Sequence, residues 1–273
     1  MMPTAVHRLG DFAPVLDLLD ARERRRASAL AEYAAELFDL AREADAAADL
    51  AGRREVGKAI ERWFKDLERH WPPPQEAVGL PGAQLRLAAC HRERPFVREA
   101  LARLVSAALD RALTPRFESP QAARAAAERL GGALAEAQLG EPVSEALVGF
   151  TGALVRLSLL QNLGAHLAAG RWPLPTSELP TPGPRPDLRA PVRAVRNECR
   201  ELRRQLLGVA PALVDLPAGY DKACTFLLLA ALRLLSELEE ADSDFLDRPP
   251  RLGRWTVRKL LWRAKRRGLG AVG

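Results

Sequence analysis

The sequence predicts an all-α protein: a helical bundle followed by a Pro-rich strap and a smaller basic helical module. Three observations carry that prediction. Of the 273 residues, 48% are hydrophobic, mostly Ala and Leu, which lose little side-chain freedom in a helical turn. Aromatics make up only 5%, and runs with the period-two alternation of half-buried strands are hard to find. Between prolines, apolar residues recur at steps of three and four, the spacing of one helical face.

Taken in order, residues 11–50 read as one long helix or two short ones, opening at Asp11 with Pro14 in the first turn. Leu30, Tyr33, Leu37 and Leu40 mark the buried face. Val56, Ile60, Trp63, Phe64, Leu67 and Trp71 mark the next helix, which Pro72-Pro73-Pro74 must end. A loop runs to about Pro81. After Pro95 the pattern returns in Phe96, Leu101, Leu104, Val105 and Ala108, and Thr114-Pro115 stops it. Ser119-Pro120 restarts the chain as N-cap and first helical residue. A Leu-rich helix from about Pro142 to Ala169 closes the first half.

Seven of the 21 prolines fall between Arg171 and Pro191. That density excludes a helix and favours extended polyproline geometry. The expected organisation is therefore a bundle over 1–170, a linker or ordered strap over 171–190, and a helical module over 191–273. In that module Val192, Val195, Cys199, Leu202 and Leu206 step by 3, 4, 3 and 4, as in a coiled-coil seam. The apolar helix 221–238 follows, capped by Asp221. An acidic stretch (Glu237, Glu239, Glu240, Asp242, Asp244, Asp247) comes before the tail.

Charge is distributed unevenly. The last 26 residues hold nine Lys or Arg and no Asp or Glu, whereas the whole chain is only +6; residues 1–247 are therefore slightly acidic. A confined basic patch is the electrostatic footprint of a phosphate-bearing partner. From Arg254 to Arg267 a helical projection puts Val257, Leu260, Leu261 and Ala264 on one face. Trp255 and Trp262 fall opposite, among Arg258, Lys259, Lys265 and Arg266, with Arg263 and Arg267 continuing the patch. A membrane-surface helix carries its Trp on the apolar side, so this arrangement favours nucleic acid over lipid. A single-stranded nucleic-acid surface interleaves aromatics with cations. A second row (Arg189, Arg193, Arg196, Arg200, Arg203) uses helical steps on one face. The two plainer readings are a tail helix docked on two sides and a tail neutralised by the acidic stretch.

Motifs for catalysis are few. Arg86 and His91 stand at Arg-x4-His spacing, which resembles the motif of HEPN-type ribonucleases in its two end residues, with Leu87 where a polar residue is usual. The terminal Gly268-Leu269-Gly270-Ala271-Val272-Gly273 spells G-x-G-x-x-G without the strand before and helix after that a dinucleotide site needs. None of His7, His70, His91 and His166 has a partner at metal-ligating spacing, so no metal and no cofactor are expected. Cys90, Cys199 and Cys224 are far apart and odd in number, as expected for free thiols in a reducing, cytoplasmic setting. Residues 1–11 lack the apolar core of a signal peptide. The Leu-rich segments 146–170 and 223–232 are too interrupted or too short to insert in a membrane.

The resulting expectation is a non-enzymatic subunit or adaptor of a larger assembly that holds nucleic acid, single strands preferred, on Arg189, Arg193, Arg196, Arg200, Arg203, Arg254, Trp255, Arg258, Lys259, Trp262, Arg263, Lys265, Arg266 and Arg267, with other protein subunits as further partners. The first alternative is a protein scaffold for an acidic partner. The second is a metal-independent ribonuclease using Arg86 and His91.

Overall fold

The Asp20 carboxylate accepts hydrogen bonds from the backbone N–H groups of Arg22 (2.8 Å) and Glu23 (2.9 Å), and so starts the first long helix at Ala21. A computed structural model describes residues 13–47, 49–69, 71, 82–114, 116–168, 172–175, 189–213, 216–217 and 219–267. Its elements are α1 (Ala21–Ala46), α2 (Leu50–Arg69), α3 (Ala83–Cys90), α4 (Phe96–Leu113), β1 (Arg116–Phe117), α5 (Pro120–Leu139), α6 (Glu145–Gln161), α7 (Leu163–Ala168), β2 (Trp172–Pro175), α8 (Arg189–Val209), α9 (Tyr220–Glu240) and α10 (Arg254–Arg267). The protein is all-α; β1 and β2 form one short parallel pair.

The segment 11–50 divides: Ala13–Leu18 is a 3-10 turn, and α1 and α2 meet near Ala47. The helix start expected at Asp11 lies outside the described residues, and α1 itself is capped by Asp20. Ser119 Oγ accepts the Ala122 N–H (3.1 Å) with Pro120 in the first turn, as its sequence requires. Ser144 caps α6 in the same way. The N-cap of α9 is Gly219 rather than Asp221; the Asp221 carboxylate reaches back to the Gly219 N–H (3.2 Å). Helix α3 is only eight residues long, too short for periodicity to mark it. Of the Pro-rich segment, 176–188 lie outside the described residues.

Two apolar cores form. One gathers Leu30, Tyr33 and Leu37 of α1, Ile60 and Leu67 of α2, Leu87 of α3, and Leu101 and Leu104 of α4. The other joins Phe150 and Leu157 of α6 to Val195, Cys199, Leu202 and Leu206 of α8, Phe226 and Leu234 of α9, and Leu260 and Ala264 of α10. Helix α5 serves both: Ala133 and Ala137 belong to the first core, while Ala135 and Leu139 pack on the second. Among the described residues no helix is long and apolar enough to cross a membrane.

Helices α5 and α6 touch through backbone. A Cβ on Gly131 would sit 2.6 Å from the amide nitrogen of Gly152, and one on Gly152 would lie 2.9 Å from the Cα of Glu128. Neither neighbour is a flexible side-chain end, so a methyl group must push the helices apart. Gly131→Ala and Gly152→Ala should each lower stability in urea unfolding by about 1–3 kcal/mol. Gly208→Ala, at a helical site with nothing within 4 Å, should instead raise it by up to about 1 kcal/mol. Equal effects at the three sites would contradict the close crossing.

Candidate functional site

Two short basic runs meet where α1 packs on α3. Arg22-Glu23-Arg24-Arg25-Arg26 opens α1, and Arg92-Glu93-Arg94 follows the end of α3. Together Arg22, Arg25, Arg26 and Arg92 line an open concavity of about 350 Å³ with Ala89, Cys90 and Glu93. Four guanidinium groups thus stand against a single carboxylate in the lining. Arg22 pairs with Glu93. Arg26 is buried and donates from Nε to the Cys90 carbonyl (3.2 Å), which fixes it as part of the wall. Arg25 is exposed and has no described carboxylate at ion-pair distance. Such a cluster suits an anion with several oxygens, because guanidinium groups offer paired donors in a fixed plane.

Beneath this wall Glu23 ties three elements together. It pairs with Arg26 of its own helix and with Arg94 (2.7 Å), and it accepts the Tyr220 hydroxyl proton of α9 (2.6 Å). Gln138 donates to the Tyr220 oxygen (2.8 Å), and Arg94 donates to the Gln138 carbonyl (2.9 Å). Burial alone would raise the Glu23 carboxyl; the hydrogen bonds from Tyr220 and Arg26 and the charge of Arg94 outweigh it and hold the group ionised. The Tyr220 hydroxyl is pushed up, first by burial. Gly140 ends α5 at φ +75, in the left-handed region, and a Cβ there would lie 2.4 Å from Cδ of Arg94. Glycine therefore both ends the helix and admits the arginine stem.

His91 is fully buried behind the wall. Burial, then the charges of Arg26 and Arg94, lower its pKa to about 4, with the Arg26 backbone and the charge of Glu23 opposing. It is neutral at pH 7. The Cys90 thiol is pushed up by burial, with Arg25 and Arg26 opposing, so it stays protonated. The concavity thus presents guanidinium charge beside a protonated thiol. Among the described residues no three of His, Cys, Asp and Glu converge as a metal-holding group.

The residues singled out in the sequence lie elsewhere. Arg86 is exposed and pairs with Glu32 (2.8 Å), away from the enclosed His91, so the Arg-x4-His pair forms no cleft. On α8, Arg203 is held by Glu239 (2.8 Å) and Ser236 (3.1 Å), and Arg196 by Asp242 (3.7 Å) and the Ala241 carbonyl (3.3 Å). Arg193 and Arg200 are exposed; the side chain of Arg189 lies outside the described ones. On α10, Val257, Leu260 and Ala264 are buried while Trp255 and Trp262 are exposed, as the projection requires. Arg254, Arg258, Lys259, Arg263, Lys265 and Arg266 are exposed beside them, and the Arg267 side chain is not among those described. Sequence reading passed over the concavity although its signal, two dense Arg/Glu runs at 22–26 and 92–94, was visible. Nothing in the sequence said that they meet.

Neither a protein-family model nor a curated protein matches the chain. Among solved structures it is similar to a dehydrosqualene synthase crystallised in complex with ligand. The identity is 12% and the TM-score 0.61, over 95% of this chain and 96% of that one. The two share an all-helical fold. This finding corrects the expectation of a non-enzymatic nucleic-acid-binding adaptor: the solved structure that shares the fold is an enzyme. The geometry explains the misreading, since half of the described Arg row on α8 is occupied by intramolecular carboxylates.

The depressed pKa of His91 sets a pH dependence. An unfolded chain binds a proton at the ordinary value of 6.5, the folded one only at about 4. The His91 contribution is therefore complete above pH 6.5 and is lost as pH falls toward 4, by roughly 3 kcal/mol. His91→Leu should flatten the stability profile measured by chemical unfolding in that window. An unchanged slope would contradict the buried neutral imidazole.

Proposed function

We propose that the chain is an enzyme acting on a phosphorylated isoprenoid, with the phosphate end of the substrate held among Arg22, Arg25, Arg26 and Arg92. The observation that carries this reading is the convergence of four arginines on one concavity, in a chain whose fold resembles that of a dehydrosqualene synthase. Arginine forks grip phosphate oxygens in pairs. As a carbon–oxygen bond to phosphate breaks, both electrons pass to the departing oxygen, and fixed cations stabilise the charge that grows there. Transfer or elimination with loss of a phosphate-bearing group is the reaction class this arrangement favours.

The interior supports a surface-bound substrate. Among the described residues a cleft beside Arg156 and Glu198 has room of about 10 Å³, enough for a single water. Three separated free cysteines support a reducing, cytoplasmic setting.

Calorimetric titration with inorganic diphosphate and with geranyl diphosphate at low salt tests the reading. Both should bind, and Arg25→Gln with Arg92→Gln should weaken binding by about tenfold or more for each cation, since a hydrogen bond to a charged group contributes about 1.5–3 kcal/mol. Bound diphosphate should also slow maleimide labelling of Cys90, the one cysteine that is not fully buried. Anion binding with no turnover of any prenyl diphosphate would overturn the assignment as an enzyme; absence of binding would overturn the site.

A further inference from the structure

We infer that the outward face of α10 is a docking surface for an anionic lipid bilayer. The face is not free to rotate: Val257, Leu260 and Ala264 are buried in the second core, where α10 packs on α9 and on the 13–18 turn. What the helix offers outward is therefore fixed by the fold. It offers Trp255, 80% exposed, and Trp262, 56% exposed. Seven residues apart, they stand on one stripe roughly 10 Å from each other along the axis, so both can meet one plane together.

Cations surround both indoles. Arg254, Arg258, Lys259, Arg263, Lys265 and Arg266 are all exposed, and none has a described carboxylate at ion-pair distance. Of the acidic stretch before α10, Glu239 and Asp242 pair with Arg203 and Arg196 of α8 and Glu237 with Arg233, while Glu240, Asp244 and Asp247 are exposed and form no described ion pair with α10. The positive charge of this face is left for a partner, and the complementary partner is anionic.

The aromatic geometry selects lipid over other polyanions. The Arg258 guanidinium lies over the Trp255 ring at 5.2 Å, and that of Arg266 over Trp262 at 4.2 Å. One face of each indole is already covered by a guanidinium, so neither ring can be sandwiched between two bases. An indole carrying its own cation fits the headgroup region of a bilayer, where Trp settles at the boundary and guanidinium meets lipid phosphate. An amphipathic helix of this composition lying alone would bury its apolar side in lipid. Here the protein body occupies that side, so the Trp-and-cation side makes the contact and no helix enters the acyl core.

Sedimentation with vesicles tests this directly. The protein should pellet with vesicles of phosphatidylcholine and phosphatidylglycerol in equal parts and stay in solution with phosphatidylcholine alone. Brominated lipid should quench indole fluorescence in the wild type and not in Trp255→Ala/Trp262→Ala, whose melting temperature should stay unchanged because both side chains are exposed. Arg258→Gln and Lys259→Gln should each weaken partitioning about fivefold, and salt should release the protein. Equal pelleting with both vesicles would overturn the inference, as would no pelleting. Binding of a single-stranded oligonucleotide or heparin without binding to anionic vesicles would overturn it too, by assigning the charge to a soluble polyanion.

Discussion

The backbone contact between α5 and α6 depends on two side chains that are missing. Gly131 and Gly152 let α5 and α6 meet at backbone distance, where a Cβ on either would fall within 3 Å of the other helix. That crossing matters because α5 belongs to both cores, through Ala133 and Ala137 on one side and Ala135 and Leu139 on the other. The spacing of α5 and α6 thus sets the distance between the two halves. It also places the end of α5, where Gly140 passes the chain under Arg94 and Gln138 meets Tyr220. The polar junction at Glu23 forms only if those elements arrive in register. The arginine concavity lies directly above that junction, so the architecture of the glycine crossing extends to the site.

Elsewhere the interior is closed by polar groups as well as apolar ones. Arg156 of α6 is buried and donates to Glu198 (2.7 Å) and to Gln205 (3.0 Å) of α8, while Gln205 donates to the Gly149 carbonyl (2.9 Å). Burial raises the Glu198 carboxyl, and the Arg156 charge opposes it. A buried pair of this kind is weak evidence for net stability, since desolvating two ions offsets most of their attraction. Its effect is on geometry: each group demands its partner, and the pair occupies the space between α6 and α8. The concavity between α1 and α3 gathers four arginines with walls around them.

Helix identity was legible because helical periodicity depends only on local spacing. Val195, Cys199, Leu202 and Leu206 announce their face in the sequence and are all buried in the structure. Ser119-Pro120 announces a helix start for the same reason. What sequence could not say was which distant segments meet. Glu23 and Tyr220 are nearly two hundred positions apart and share a 2.6 Å hydrogen bond. Arg22 of α1 and Arg92 of the turn after α3 line one concavity. Helix α3, at eight residues, shows barely two turns and leaves no periodic trace. The site therefore escaped for a physical reason: it is a tertiary product of two charge runs, each of which taken alone looks like a solvated surface.

The same limit explains why a count of basic residues misled and a map of their partners does not. The sequence carries its positive excess in the C-terminal third and its negative stretch between two basic segments, and nothing in it tells which segment the acids will neutralise. The fold decides. Helix α9 runs beside α8, so Glu239 and Asp242 at its C-terminal end reach Arg203 and Arg196, and α10 on the other side of α9 receives no described carboxylate. The Arg row that looked most regular is thus partly spent on holding two helices together. The charge that remains unpaired lies on a helix whose apolar side is already buried. A membrane reading that requires Trp on the apolar side applies to a helix still free to choose its face. Once the protein body has taken that face, exposed indoles and unpaired cations share the only surface left, and the partner must be judged against both at once.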